Sequence, residues 1–231
     1  MANKENFSGC TVSSPSCKCF EKLSKEEFEL IESKSVYVTF KKGEILCKKG
    51  SISSHIMMIE NGLVKVFLEN GTNTLVLKVV TSGNLIGLSS IREGSNVFPY
   101  NVMAYIDTKV KQIDINTFHQ VLSNNAAFAK EVIELLGSNS EQIHGRFFCL
   151  VYKQSYGRMA DILLCMADRI FKNKEFELPV SRKDLAELTG LSSETVIRIL
   201  KKFQDDGLIQ MDGKSIKLID YERLINISEN G

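Results

Sequence analysis

The sequence predicts an α+β chain with three parts: an N-terminal β-roll of the jelly-roll kind, one long helix, and a C-terminal winged helix-turn-helix. Three observations predict it. Apolar residues alternate from Val36 onward, with glycines between short runs. A helical seam of apolar residues then extends from Phe128 to Leu150. Last, two short helical patterns flank Thr189-Gly190-Leu191 and are followed by a hairpin pattern.

Composition sets the frame. The 231 residues are 43% hydrophobic and 25% charged, as in ordinary globular proteins. The net charge of +1 means that a nucleic-acid surface would have to be a local patch. No apolar run approaches the roughly 20 residues of a membrane span, and the N-terminus lacks a secretory pattern. Six irregularly spaced cysteines in such a chain predict reduced thiols and a cytoplasmic location. No nucleophile-and-base pair, metal motif or phosphate loop is evident, which argues against an enzyme.

Residues 1–19, rich in Ser, Asn, Cys and Lys, read as a flexible arm. Residues 20–125 read as the β-roll domain. It opens with a helix over Phe20 to Ser33, with Ser24 as a cap before Glu26 and Glu27. Strand-like runs follow at Val36–Phe40, Ile56–Ile59, Leu63–Leu68, Leu75–Val80, Asn101–Ile106 and Val110–Ile113. Asn61-Gly62 and Asn70-Gly71 are turn signals, because both residue types tolerate positive φ.

Residues 126–156 read as a dimerisation helix and hinge. Val132, Leu136, Asn139, Ile143, Phe147 and Leu150 lie at steps of three, four or seven. A helix of about 25 residues is nearly 40 Å long, too long for one small β-domain to cover. A two-fold partner is the expected cover; packing within one subunit is the alternative. Gln154 to Gly157 interrupts the pattern as a candidate hinge. Met159 to Phe171 then reads as a helix, and Lys172 to Glu177 as a charged loop.

Residues 157–231 read as the winged helix-turn-helix. Ser181 and Asp184 form a capping-box pattern. Ser192 caps a second helix, with Val196, Ile199, Leu200 and Phe203 inward and Ser193, Glu194, Ile197, Arg198, Lys201 and Lys202 outward. Asp212-Gly213 lies between alternating runs, as in a hairpin wing. Arg198 suits guanine O6 and N7, and Glu194 suits cytosine N4. Arg182, Ser192, Ser193, Thr195 and Lys201 complete the expected DNA-binding set, several of them through phosphate. A plain Glu194–Arg198 ion pair on a solvated face is the alternative.

The run from Asp184 to Leu200 resembles the D-x-A-x-x-x-G-x-S-x-E-T-x-x-R element of the catabolite-activator and fumarate-nitrate-reduction regulators. The β-roll segments Phe40–Gly50, Ile59–Phe67 and Gly83–Gly87 are similar to that family too, as is the run from Phe118 to Gly157. The resemblance implies a homodimeric regulator whose β-roll is of the cyclic-nucleotide-binding kind. It implies that Glu194 and Arg198 read bases of a palindromic double-stranded operator. Half-sites with a G-A-like core would lie about one helical turn apart, and RNA polymerase is an expected partner. Ser193 stands where cyclic-AMP activators carry a base-reading Arg, and Ile197 where oxygen-sensing relatives carry a Ser. A cyclic-nucleotide-binding regulatory module that touches no DNA is the rival reading.

The resemblance also places an effector pocket at Gly87, Leu88, Phe98, Pro99, Ile143, His144 and Phe147. The Glu and Arg-Ser that hold ribose and phosphate in cyclic-nucleotide binders are here Leu88, Phe98 and Pro99. The Thr-Ser pair that meets adenine is Ile143 and His144. Without the Arg, a buried phosphate would lack its counter-charge, so no cyclic-AMP binding is expected. Cys10, Cys17, Cys19 and Cys47 are candidate iron–sulfur ligands, although C-x6-C-x-C departs from the oxygen sensors' C-x2-C-x5-C. Incidental thiols and a thiol redox switch are the other readings. Haem ligation would need one of His55, His119 and His144.

Overall fold

The protein is described by a computed structural model at residues 11–13, 17–92, 94 and 96–231. These residues pack as two compact units, one within 13–72 and 79–140, the other within 11–12, 73–78 and 141–231.

The first unit opens with a single tight 3-10 turn, Cys19–Lys22, and then α1, Lys25–Ser33. Sequence periodicity runs these together, but Leu23 is extended between them. The cause is a capping box: the Ser24 hydroxyl accepts from the Glu27 N–H, and the Glu27 carboxylate accepts from the Ser24 N–H. This fixes Ser24 outside the helix.

Eight strands follow in the chain: β1 Ser35–Phe40, β2 Ile45–Cys47, β3 His55–Asn61, β4 Leu63–Asn70, β5 Asn73–Thr81, β6 Leu85–Ile86, β7 Asn101–Ala104 and β8 Thr108–Asp114, with residues 73–78 of β5 in the second unit. They form two four-stranded sheets, ordered β1-β8-β3-β6 and β2-β7-β4-β5. Asn61-Gly62 is therefore no hairpin. It is the corner at which the chain leaves one sheet for the other, and Gly62 turns it with φ 138°. A Cβ at Gly62 would run into the Thr108 hydroxyl, which accepts the Leu63 N–H. Asn70-Gly71 does join consecutive strands of one sheet.

Helices α2, Ile115–Asn124, and α3, Ala126–Tyr152, close the roll. Asp114 caps α2 by accepting the Thr117 N–H at 2.8 Å, and Asn125 accepts the Phe128 N–H at 2.9 Å. Their first buried rings, Phe118 and Phe128, meet edge-on at 5.3 Å in a core with Ile31, Ile56 and Ile113. Each such side chain contributes about 1.5–3 kcal/mol by leaving water. Lys111 of β8 is buried beside them, paired with Glu32 and close to the rings of Phe20, Phe28 and Tyr37.

In the second unit α3 ends at Tyr152, and Gln154, extended, precedes α4, Ser155–Cys165. The helical break is thus Lys153-Gln154, at the front edge of the expected hinge. Gly157 lies inside α4, where a Cβ would meet the backbone of Gly231. A wider π-helical turn, Met166–Phe171, continues α4. The segment read as a charged loop contains β9, Glu175–Glu177, with Phe176 stacked on Phe171 at 4.7 Å. Three residues are too few for alternation to register. Then come α5 Arg182–Thr189, α6 Ser193–Asp205, β10 Ile209–Asp212, β11 Ser215–Leu218 and α7 Tyr221–Asn230. The three short strands form one sheet, ordered β10-β11-β9. Among the described residues no helix is long and apolar enough to cross a membrane.

Candidate nucleic-acid interface

The helix-turn-helix is built by local capping. The Ser181 hydroxyl accepts from the Asp184 N–H and the Asp184 carboxylate accepts from the Ser181 N–H, which starts α5. Gly190, at φ 63°, ends it in the left-handed conformation that glycine adopts without steric cost. Ser192 then accepts the Thr195 N–H at 3.2 Å and starts α6. Leu185, Ala186 and Leu188 of α5 face Val196, Ile199, Leu200 and Phe203 of α6 as buried positions. The two helices are fixed by that shared apolar contact.

The opposite side of α6 is open. Glu194, Ile197, Arg198 and Lys201 are exposed, and Ser193 and Thr195 half-buried. The Glu194 carboxyl is held below the usual carboxylate range by its own backbone N–H and by the Ser192 hydroxyl. It therefore stays an anion able to accept from a base amine. The ion pair on this helix joins Lys202 to Asp206 at 2.8 Å, four residues apart. Among the described residues Arg198 forms no ion pair with Glu194, and it is exposed. Arg182, at the start of α5, is half-buried, and burial lowers its pKa. The wing turns at Gly213, φ 58°, with Asp212 paired to Ser215.

The apolar seam of α3 is displaced by one residue at its start. Val132, expected on the dimer face, is 1% exposed and belongs to the core around Phe128. Ile133, 67% exposed, takes the outward position. Leu136, Ile143 and Phe147 are exposed as expected, joined by Phe148, Val151 and Tyr152. Asn139 is half-buried, and Leu150 is half-buried with its side chain against Gly190. The outward heptad is Ile133, Leu136, Ser140, Ile143 and Phe147, a spacing visible in the sequence but masked by the equally apolar Val132 and Leu135.

Of the residues expected at an effector pocket, Gly87, Leu88 and Phe98 come together in the β-roll. Leu88 and Phe98 are buried, and Gly87, φ 96°, donates its N–H to the Tyr100 hydroxyl at 3.2 Å. Pro99 is exposed. Ile143, His144 and Phe147 lie on the exposed side of α3.

The cysteine set falls in separate places. Cys10 lies outside the described residues. Cys17 and Cys19 have sulfurs 2.7 Å apart. The hydrogen bond between them holds the Cys17 thiol below its ordinary pKa and pushes that of buried Cys19 up. Cys47 is buried in β2, and burial pushes its thiol up to about 12. Among the described residues no three His, Cys, Asp or Glu side chains gather as a metal site. Two thiolates on one tetrahedral metal at about 2.3 Å stand about 3.8 Å apart. The Cys17 and Cys19 sulfurs are closer together than that geometry requires.

Residues 37–125 match the family described as cyclic nucleotide-binding domain, and residues 157–227 the family described as Crp-like helix-turn-helix domain. The chain is 24% identical over 185 residues to the transcriptional activator protein FnrA of Stutzerimonas stutzeri, covering 78% of this chain and 75% of that one. It is 23% identical over 235 residues to the fumarate and nitrate reduction regulatory protein of Escherichia coli K12, covering 95% and 92%. Among solved structures, FixK2 from Bradyrhizobium japonicum superposes with a TM-score of 0.76 at 20% identity, over 84% of this chain and 96% of that one.

Proposed function

Because the chain belongs to the Crp/Fnr family of transcription regulators, with a Crp-like helix-turn-helix DNA-binding domain, we propose that it acts as a homodimer that reads a palindromic operator. The observation that carries this is the exposed face of α6: Glu194, Arg198 and Lys201 lie outward while the opposite face is wholly buried. In this reading α6 enters the major groove, Arg198 bonds guanine, Glu194 accepts from cytosine, and Arg182, Ser192, Ser193, Thr195 and Lys201 position the duplex. The outward apolar heptad on α3 supports self-association, since a patch of that kind on a long helix needs a cover.

The working division is an N-terminal segment over 1–19, whose Thr11, Val12, Ser13 and Cys19 are buried rather than arm-like, a β-roll sensor over 20–125, a dimerisation helix and hinge over 126–156, and the DNA-reading domain over 157–231. A signal at the β-roll shifts the population of α3 pairings, and so the spacing of the two α6 helices. Cyclic AMP is not that signal: Leu88 and Phe98 offer buried hydrocarbon where a phosphate needs a cation. RNA polymerase, in the cytoplasm with the operator, completes the expected partners.

Selection from a randomised palindromic library, followed by gel shift at several salt concentrations, tests this. Sequence-specific binding with a steep salt dependence is expected. Salt-insensitive or sequence-blind binding would sink the reading.

A further inference from the structure

We propose that the joint between sensing and DNA reading lies inside α3, at Gly137-Ser138-Asn139-Ser140, and not at the break that precedes α4. The chain passes from one compact unit to the other between Ser140 and Glu141, in mid-helix. The four residues before that point are poorer helix formers than the Leu, Glu and Gln on either side. Ser and Asn weaken a helix because their side chains compete for backbone hydrogen bonds, and Gly because its backbone is the freest. Gly/Ser pairs are among the few places where helices kink sharply. A Cβ at Gly137 would meet nothing within 4 Å, so no close approach of another element demands glycine there.

The same stretch carries no buried face. Phe128, Val132 and Leu135 anchor the first half of α3 in the β-roll core, and Gly145, Arg146 and Cys149 are buried in the second half. From Leu136 to His144 no residue of α3 is fully buried. A helix in a protein draws most of its stability from a packed face. The outward heptad thins at the same place: its member between Leu136 and Ile143 is Ser140. Pairing with a second copy therefore adds least there.

The break before α4 is clamped on both sides. On its α3 side, Arg146 donates from Nε to the Val76 carbonyl at 3.1 Å, and Leu150 lies against Gly190 of the helix-turn-helix. At the break, the Lys153 ammonium donates to the Asp161 carboxylate at 2.7 Å and to the Ser228 hydroxyl at 3.3 Å. On its α4 side, Gly157 packs against the backbone of Gly231. Bending the chain at Gln154 would part a buried ion pair, which is costly. Residues 141–152 therefore move with the DNA-reading domain as one lever, and a change in the β-roll reaches α6 through a bend in the middle of α3. The bend follows from packing and helix propensity; its effect on DNA rests on the regulator reading above.

Hydrogen exchange of the full chain, resolved to single amides by mass spectrometry, tests this. Each helical N–H bonds the carbonyl four residues earlier, so opening at 137–140 frees the N–H groups of 137–144. These should exchange faster than those of 130–136 and 145–152. A variant carrying Gly137→Ala, Ser138→Ala, Asn139→Ala and Ser140→Ala should slow them at least about tenfold. It should also change operator affinity by about 5- to 150-fold, the usual range of allosteric coupling. Amides 145–152 exchanging as fast as 137–144 or faster, or rates that the alanine variant leaves unchanged, would overturn the joint. Slowed exchange with unchanged operator affinity would overturn its part in DNA reading. If the parent protein selects no operator at all, the regulator reading fails, and the exchange pattern still decides on the joint.

Discussion

The ammonium of Lys153, the residue at which the long helix breaks, lies 2.7 Å from a carboxylate oxygen of Asp161 on α4. Both side chains are nearly buried. The Ser228 hydroxyl of α7 donates to the same carboxylate, and the Cys149 thiol donates at 3.3 Å. Burial and the adjoining carboxylate push the Cys149 thiol up to about 11, so it stays protonated as a donor. One buried anion thus ties the end of α3 to two helices of the DNA-reading domain.

Removing that anion strands a buried cation. Asp161→Ala is expected to destabilise the protein by about 3–5 kcal/mol, because the charge of Lys153 loses its counter-ion. Urea denaturation followed by circular dichroism measures it. The paired replacement of Lys153 by Met and Asp161 by Leu should recover most of the loss. A single variant as stable as the parent would show that the cluster bears no strain when broken.

Acid should act on a different carboxylate. The Asp114 carboxyl is held below the usual range chiefly by the Thr117 backbone N–H that it caps. A folded pKa below the unfolded value of about 3.9 means that the stabilisation is present above that value. It is lost as pH falls through the folded pKa. Asp114→Ala should therefore cost about 1 kcal/mol at neutral pH and progressively less below about pH 4. Urea midpoints for both proteins between pH 7 and pH 3 check this; a gap that stays constant or widens in acid contradicts it.

The serine caps of α1, α5 and α6 were legible in this sequence, whereas the start of α4, read at Met159 and observed at Ser155, and the exact seams were not. Ser24, Ser181 and Ser192 each announce a helix because a side-chain oxygen and an N-terminal N–H meet within three residues, a relationship that sequence contains. Gly62 announced a change of direction but not which one, since a hairpin and a sheet-to-sheet corner both need positive φ. Val132 and Ile133 are adjacent and equally apolar, so only the position of the β-roll core decides which faces inward. The α5–α6 pair could be read almost residue by residue, because its geometry is set within 25 residues of chain. The Lys153–Asp161–Ser228 cluster could not, because Ser228 is 75 residues from Lys153.

On the proposed reading, base reading and phosphate contact on α6 should separate by mutation. Arg198→Ala should cost about 1–3 kcal/mol and relax preference at one base position per half-site. Lys201→Ala should weaken binding to all sequences alike and lower the slope of log K against log salt by about 1 per site. Binding to a set of single-base operator variants at three salt concentrations distinguishes them. Loss spread evenly over all bases for Arg198→Ala would remove it from the base-reading set.

Phe147 decides whether the helix seam is an interface. Its ring is 69% exposed in a single chain, so changing it should leave the monomer's own packing intact. In a two-fold pair each copy presents the same face, and burying a Phe contributes about 1.5–3 kcal/mol per copy. Phe147→Glu removes both contributions and brings two like charges together in a dry contact. The expected result is a change from dimer to monomer in sedimentation equilibrium, with an unchanged thermal melt of the β-roll and loss of high-affinity operator binding. A variant that remains dimeric and still binds the operator would mean that the apolar face of α3 is covered by something other than its twin.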